Sequence, residues 1–260
     1  MTWTPPRGRL LVWSAAVLVA AVLAAAVLRD DRGPVGDLTV GDVARVGVTE
    51  GDSIPDYVRA SRDELAGLLA SGRAETYALV SFATYLDPYQ LGSVLDGVSV
   101  SEVVTRVPLP ATQTEIVRIP ATRVPDDVVA GMTRIAERKE REAREYRERS
   151  AQLAGAEELR RIYDSNARVA DEEAAAYRSS CACVYAAVVR ATPSALDEIA
   201  RRPKVRVVDP APEVHRLDRA VFLPPLPEQE DVVRPPADER LSGRTPDQVE
   251  SGLGGHAMSQ

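Results

Sequence analysis

The sequence YALVSFAT at residues 77–84 and the similar sequence YAAVVRAT at residues 185–192 decide the fold that we predict for this chain. Each sequence leads to a proline, Pro88 or Pro193, and then to a short amphipathic segment that is followed by alternating valines. The spacing of the apolar residues therefore changes from two to about 3.6 and back to two, which is typical of a strand, a helix and a second strand. We interpret the two segments as two copies of one βαβ unit.

Two βαβ halves are expected to pair in one sheet, because a single unit leaves its apolar face exposed to water. Such a pair forms the ferredoxin-like arrangement, which predicts an α+β fold. The first half, residues 43–124, also contains a short strand near 43–49, an amphipathic helix that opens at Ser53 and a strand at 115–119. The second half covers residues 179–223. A chance resemblance between two short valine-rich segments is the alternative interpretation.

A long helical region at residues 125–178 separates the two halves. Its apolar residues repeat with the spacing of a coiled-coil seam, although Lys139 and Ser150 are polar members of that seam. One unbroken helix of about 50 residues would be roughly 75 Å long and would keep the two halves apart. We therefore predict a hairpin near Gly155, which forms an exposed arm that binds a protein partner or a second copy of the chain. The arm residues that we select as candidate contacts are Arg134, Arg138, Arg141, Tyr146 and Leu153.

The uncharged segment at residues 10–28 predicts a transmembrane helix. At 1.5 Å per residue such a helix is about 28 Å long, close to the roughly 30 Å of bilayer hydrocarbon. We interpret it as an uncleaved signal anchor in a bacterial cell membrane, with a cytoplasmic tail at residues 1–9, a linker at 29–42 and the large domain outside. A signal peptide that is cleaved after Ala26 is the alternative.

The C-terminal residues 224–260 are rich in proline and acidic side chains and contain few apolar residues. This composition predicts a disordered tail, because little apolar surface is present to offset the loss of chain entropy. The formal net charge of the chain is −7. A nucleic-acid-binding protein is expected to carry a basic face, so we predict no nucleic-acid partner.

The chain contains only two histidines and two cysteines, which excludes most histidine-dependent enzymes, zinc modules with several cysteines and small proteins held by many disulfides. Cys181 and Cys183 lie two residues apart at the start of a strand, where their side chains point to the same face. Outside the cytoplasm they can form a disulfide, and the small ring makes them a possible redox pair. Two small buried side chains or a simple local disulfide are the alternatives. We predict no metal site and no cofactor.

The tripeptide Gly51-Asp52-Ser53 resembles the nucleophile motif of GDS-type serine esterases. Such an enzyme also needs an Asp-x-x-His pair to activate the serine, and Pro212 stands where the aspartate would precede His215. The alternative role of Ser53 is to cap a helix, with Asp56 three residues later. The esterase is therefore a remote hypothesis, and we predict that the chain is not an enzyme.

These observations together predict a membrane-anchored extracytoplasmic scaffold or assembly subunit. A redox or ligand sensor that uses Cys181 and Cys183 is the alternative. The order of short tail, single span, helical arm and ferredoxin-like domain resembles the assembly subunits of bacterial secretion and pilus machines. In those proteins the coil usually follows the span directly, whereas here it interrupts the sheet domain. This resemblance concerns the fold and does not by itself assign a function.

Overall fold

The computed structural model describes residues 43–72 and 74–236, which form a mixed α+β fold with a five-stranded antiparallel sheet and five α-helices. The α+β prediction is therefore confirmed. Within these two ranges no helix is both long enough and apolar enough to cross a membrane. The predicted cytoplasmic tail, transmembrane helix and linker, at residues 1–9, 10–28 and 29–42, lie outside the described residues.

The elements differ from the predicted ranges by a few residues at their ends. The strand expected at 43–49 covers only four residues, and the strand expected at 115–119 begins at Val117. In chain order the elements are β1 (Ala44–Gly47), α1 (Ile54–Ser71), β2 (Thr76–Leu86), α2 (Pro88–Val94), β3 (Ser99–Thr105), β4 (Val117–Pro120), α3 (Asp126–Gln152), α4 (Glu157–Arg178), β5 (Val184–Ala191), α5 (Pro193–Ala200), β6 (Val205–Ala211) and β7 (Ala220–Leu223).

The two helices of the repeat begin in the same way. The side chain of Asp87 accepts hydrogen bonds from backbone N–H groups at the start of α2, and Thr192 does the same for the N–H of Ala195 in α5. A proline follows each cap, at Pro88 and Pro193, where the missing N–H is not needed. The cap and the proline therefore fix the point at which each strand turns into a helix.

The five-stranded sheet has the order β4-β3-β5-β2-β6, and every neighbouring pair is antiparallel. The two central strands, β2 and β5, come from different copies of the repeat and pair with Tyr77 opposite Arg190. Each copy also supplies one flanking strand, β3 beside β5 and β6 beside β2. The copies are thus interleaved, and β4 extends the sheet at the edge beside β3.

Each face of the sheet is covered by its own apolar cluster. One cluster contains Phe82 together with Met132 and Tyr177 from the helices of the arm. The other contains Leu79 and Phe222, the latter from β7, which pairs in parallel with β1. Burying a large apolar side chain stabilises a fold by about 1.5–3 kcal/mol relative to leaving it in water. The base of the arm is therefore part of the core of the sheet domain.

The helical arm is a hairpin of α3 and α4, and Gly155 lies in its turn with a φ of +83°. This left-handed backbone conformation favours glycine, because a Cβ atom would be strained there. Ser150, one of the two polar seam residues, donates a hydrogen bond of 2.6 Å to Asp164 across the hairpin. Small buried residues, Ala143 and Ala170, let the two helices pack closely.

The prediction of a disordered tail does not hold for residues 224–236. Leu226 is buried in the smaller apolar cluster. The backbone N–H of Ile54 donates to the carbonyl of Asp231, and the N–H of Gly51 donates to that of Val233. These bonds to the start of α1 hold the segment in place, although its composition is that of a disordered chain. Residues 237–260 lie outside the described residues.

Asp209, in β6, is a buried carboxyl that should make the stability of the domain depend on pH. The Tyr57 hydroxyl donates a hydrogen bond of 3.0 Å to its Oδ2. Burial raises the pKa of Asp209 to about 6; Tyr57 and Ser61 oppose this rise, and Glu64 and Glu213 add to it. An acid whose pKa is higher in the folded chain binds more protons when folded. The free energy of unfolding should therefore fall as the pH rises from about 4 to about 6.

The variant Asp209→Asn is expected to remove this pH dependence. At pH 7.5 its free energy of unfolding should exceed that of the natural chain by about 1–3 kcal/mol, because no charge is buried and the amide oxygen still accepts from Tyr57. At pH 4, where the natural carboxyl is protonated, the two proteins should differ little. Urea denaturation at both pH values measures this. If Asp209→Asn lowered the free energy of unfolding equally at both pH values, the Asp209 carboxyl would not be the source of the pH dependence.

Candidate functional site

A groove of about 290 Å³ lies between the edge strand β4 and helix α3 of the arm. Ile119 and Ile135, both buried, form its apolar floor. Three of the five candidate contact residues predicted from the sequence line this groove. The arginines around it are Arg118, Arg134, Arg138 and Arg141. We name it the arginine groove.

The close approach of α3 to β4 depends on a glycine. A Cβ atom at Gly131 would lie 2.3 Å from Cγ2 of Ile119, a distance that side-chain carbons do not reach. Ile119 is almost fully buried and cannot move away cheaply. Gly131 therefore sets the width of the groove, and neither it nor Arg118 was singled out from the sequence. A glycine inside a strongly helical sequence is the signal that could have indicated this contact.

The outer side of β4 has no strand partner within the described part of the chain. The N–H of Ala121 donates to the carbonyl of Ser101, so the backbone groups of every second residue in β4, including Ile119, point toward β3. The N–H and C=O of Arg118 then point away from the sheet. Such an edge is a template for an added strand, although Pro120 removes one donor at its end.

Two of the four arginines in the groove are already paired. Arg138 contacts Glu115 at 2.9 Å and Glu142 at 3.0 Å, and Arg118 contacts Glu102 at 2.8 Å. Arg134 and Arg141 are exposed and form no ion pair with any residue that the structure describes. The groove therefore carries two positive charges that are open to an acidic ligand.

Lys139 fixes the base of the arm against the segment before β4. Its ammonium lies 2.8 Å from Glu115, 2.8 Å from Glu173 and 3.2 Å from Glu142, and only 7 % of its side chain is exposed. Burial alone would lower the pKa of Lys139, but the hydrogen bonds to Glu115 and Glu173 outweigh burial and raise it. Lys139 is thus charged at neutral pH. The lysine that interrupts the predicted apolar seam therefore forms ion pairs in the structure.

The pKa values of two carboxyl groups beside Lys139, those of Glu173 and Glu115, are shifted in opposite directions. Burial raises the pKa of Glu173, and Lys139 partly opposes that rise. For Glu115 burial also acts upward, but hydrogen bonds from Arg138 and Lys139 together hold its pKa below the ordinary value. Glu115 lies two residues before β4, and its N–H donates to Glu173. The network therefore joins the edge strand to both helices of the arm.

The other two candidate contact residues lie farther along the arm. The ring of Tyr146 is 6.1 Å from that of Tyr163 across the hairpin, and Tyr146 is half-buried. Leu153 directly follows α3 as its C-cap residue and is also half-buried. Neither residue lines the arginine groove. Of the five predicted contact residues, three therefore lie at the base of the arm and two lie in its distal part.

The two cysteines are joined in a disulfide between α4 and β5. Cys183 is fully buried in the larger apolar cluster, while Cys181 is partly exposed. Both the predicted redox pair and the simple local disulfide are compatible with this arrangement.

Ser53 caps helix α1, where its Oγ accepts a hydrogen bond from the N–H of Asp56. No hydrogen bond joins Ser53 to His215 in the described part of the chain, and His215 is exposed beside Pro212 and Arg190. Within residues 43–72 and 74–236 no group of three or more His, Cys, Asp or Glu side chains is placed to hold a metal ion.

Comparisons with protein-family models, with curated proteins and with solved structures found no match.

Proposed function

We propose that this chain is a membrane-anchored extracytoplasmic protein without enzyme activity, a scaffold or assembly subunit that binds a partner protein through the arginine groove. Residues 10–28 would be the anchor, with the N-terminus in the cytoplasm and the sheet domain outside. The observation that carries the proposal is the combination, in one groove, of a strand edge without a strand partner and two cations, Arg134 and Arg141, without an ion pair, both among the described residues.

We further propose that the sheet domain is ferredoxin-like, with β2–α2–β3 and β5–α5–β6 as its halves. The interleaved order β3-β5-β2-β6 supports this, because in that arrangement each helix links two strands that enclose a strand of the other half. The edge strand β4 and the arm would then be an insertion between the halves. The base of this insertion belongs to the core of the sheet domain, whereas the outer edge of β4 has no strand partner among the described residues and could serve a separate role.

The partner that fits the groove is an extended acidic segment of another protein. Added beside β4, such a segment would form main-chain hydrogen bonds with Arg118, and every second side chain would face α3. Acidic side chains at those positions would meet Arg134 and Arg141, and apolar ones would contact Ile135. Charge complementarity of this kind favours the correct partner and speeds association. Ile116, which is half exposed, directly precedes β4 and so lies at the end of its open edge.

Crosslinking in the native cell from position 116, directly before β4, tests this proposal. A photoreactive amino acid at position 116 of the full-length chain should give a defined protein adduct. The matched control is position 159, because Leu159 is similarly exposed, at 43 % against 50 % for Ile116, but lies on α4 near the turn of the arm. We expect several times more adduct from position 116. Equal yields, or an adduct from position 159 alone, would contradict the groove as the binding site.

A redox sensor that uses Cys181 and Cys183 is the second candidate function. The specific observation in its favour is that the bridge joins a partly exposed residue, Cys181, to a buried one, Cys183, at the junction of the arm and the sheet. A reductant could therefore reach Cys181. Mass spectrometry of the alkylated native protein under oxidising and reducing conditions separates this function from a permanent structural bridge.

A further inference from the structure

A cavity of about 450 Å³ lies between the loop after β3 and the C-terminal segment. It shares no lining residue with the arginine groove. Pro108 and Pro110 form part of one wall, and Leu226, Pro235 and Pro236 form part of the other. Its volume falls within the range of about 300–1,000 Å³ that is usual for small-molecule sites.

Arg106, directly after β3, places a buried cation in this cavity, with only 4 % of its side chain exposed. Its Nη1 donates to the Tyr85 hydroxyl at 3.1 Å, and its Nη2 donates to the carbonyl of Thr112 at 3.1 Å. Its Nε has no hydrogen-bond partner among the described residues. A buried guanidinium needs an anion, because an unpaired charge away from water is unfavourable.

Glu228, in the C-terminal segment, supplies that anion. Its Oε1 lies 2.6 Å from Nη1 of Arg106, and its Oε2 accepts a hydrogen bond of 2.9 Å from the Tyr85 hydroxyl. Burial raises the pKa of Tyr85, so this hydroxyl is a donor at every physiological pH. One carboxylate therefore bridges a cation and a phenol at the inner end of an apolar cavity. About half of the Glu228 side chain is exposed, at 49 %.

We propose that this cavity binds a small monocarboxylic acid with an apolar chain, whose carboxylate replaces that of Glu228 on Arg106 and Tyr85. The apolar chain lies against the proline-rich walls. The exposed side of Glu228 faces water, so its side chain rotates outward as the ligand carboxylate enters. Arg106 is paired in both states, which avoids the unfavourable state of a buried unpaired cation.

This ligand site is independent of the partner groove, and direct binding of short carboxylates to the purified full-length chain tests it. The probes are butyrate, hexanoate and the neutral hexanamide, measured by isothermal titration calorimetry. Each added methylene that becomes buried should tighten binding about fourfold, so hexanoate should bind more tightly than butyrate. Hexanamide should not bind measurably, because it lacks the charge that Arg106 recognises.

The variant Glu228→Gln removes the competing internal carboxylate and keeps the shape of the segment. It should bind hexanoate at least about tenfold more tightly than the natural chain. The matched control is Glu230→Gln, because Glu230 is exposed in the same segment and does not line the cavity. Added to Glu228→Gln, where no internal carboxylate competes for the hydroxyl, Tyr85→Phe should weaken hexanoate binding several-fold by removing one donor, and it leaves the buried Arg106 in place.

Three results would overturn the proposal. The first is the absence of saturable hexanoate binding to Glu228→Gln. The second is equal binding of hexanoate and hexanamide, which would show that the charge is not recognised. The third is equal hexanoate affinity in Glu228→Gln and Glu230→Gln, which would place the binding site elsewhere. None of these results bears on the arginine groove, so the proposed function would stand or fall separately.

Discussion

Replacing Lys139 with methionine is expected to lower the free energy of unfolding by about 3–5 kcal/mol, because it leaves the buried Glu173 carboxylate without its cation. Glu173 has 3 % of its side chain exposed and lies 2.8 Å from the Lys139 ammonium. Methionine preserves most of the length and apolar contact of the lysine side chain. The decrease in the free energy of unfolding would therefore come from the unpaired charge of Glu173 and not from a cavity.

Two further variants distinguish this explanation from general damage to the arm. Arg138→Met removes a neighbouring cation that contacts Glu115 and Glu142 but is 37 % exposed, and it should cost less than about 1 kcal/mol. The double variant Lys139→Met/Glu173→Met replaces both charges and should recover most of the loss. Urea denaturation at pH 7 measures all three. A loss of under 1 kcal/mol in Lys139→Met, or no recovery in the double variant, would contradict a buried pair.

Reversing two charges of the arginine groove, Arg134→Glu with Arg141→Glu, is expected to reduce partner binding by about 100-fold at low salt. Both side chains are exposed and have no ion pair within the described residues, so the exchange removes two attractions and adds two repulsions toward an acidic segment. It should leave the free energy of unfolding nearly unchanged, because exposed charges contribute little to stability. Binding by the natural chain should also weaken as the ionic strength rises.

The matched control for this variant is Arg161→Glu with Arg168→Glu. Both residues are exposed on α4, so the control makes the same change in net charge on the other helix of the arm. Neither residue lines the groove. The control should therefore bind the partner as the natural chain does, whereas a loss in both variants would indicate a response to overall charge.

The features that the sequence predicted well are local ones. The cap at Ser53, the strand–helix–strand order of each repeat and the break at Gly155 each depend on residues within a few positions of one another. Apolar periodicity and capping chemistry report such local structure directly. The α+β class follows from these local elements, because the repeat predicts which segments need a shared sheet to cover their apolar faces.

The groove, the cavity and the ordered C-terminal segment could not be predicted in the same way, because they depend on contacts between remote residues. Nothing near Glu228 in sequence indicates that it meets Arg106, and a proline-rich acidic segment predicts disorder unless such partners are known. In the sequence Lys139 only interrupts the apolar seam, because its ion-pair partners Glu173 and Glu115 are remote from it in the chain. In this chain both polar residues of the predicted seam, Lys139 and Ser150, have polar partners on the facing helix.

Partner binding at the arginine groove is tested by the yield of the crosslink from position 116, measured in three versions of the full-length chain in its native membrane. We expect one protein adduct of equal yield in the natural chain and in the Arg161→Glu/Arg168→Glu control. We expect at least about a tenfold lower yield in Arg134→Glu/Arg141→Glu, since the acidic segment would no longer be held beside β4. The same adduct at full yield in that last variant would contradict the arginine groove as the site of partner binding.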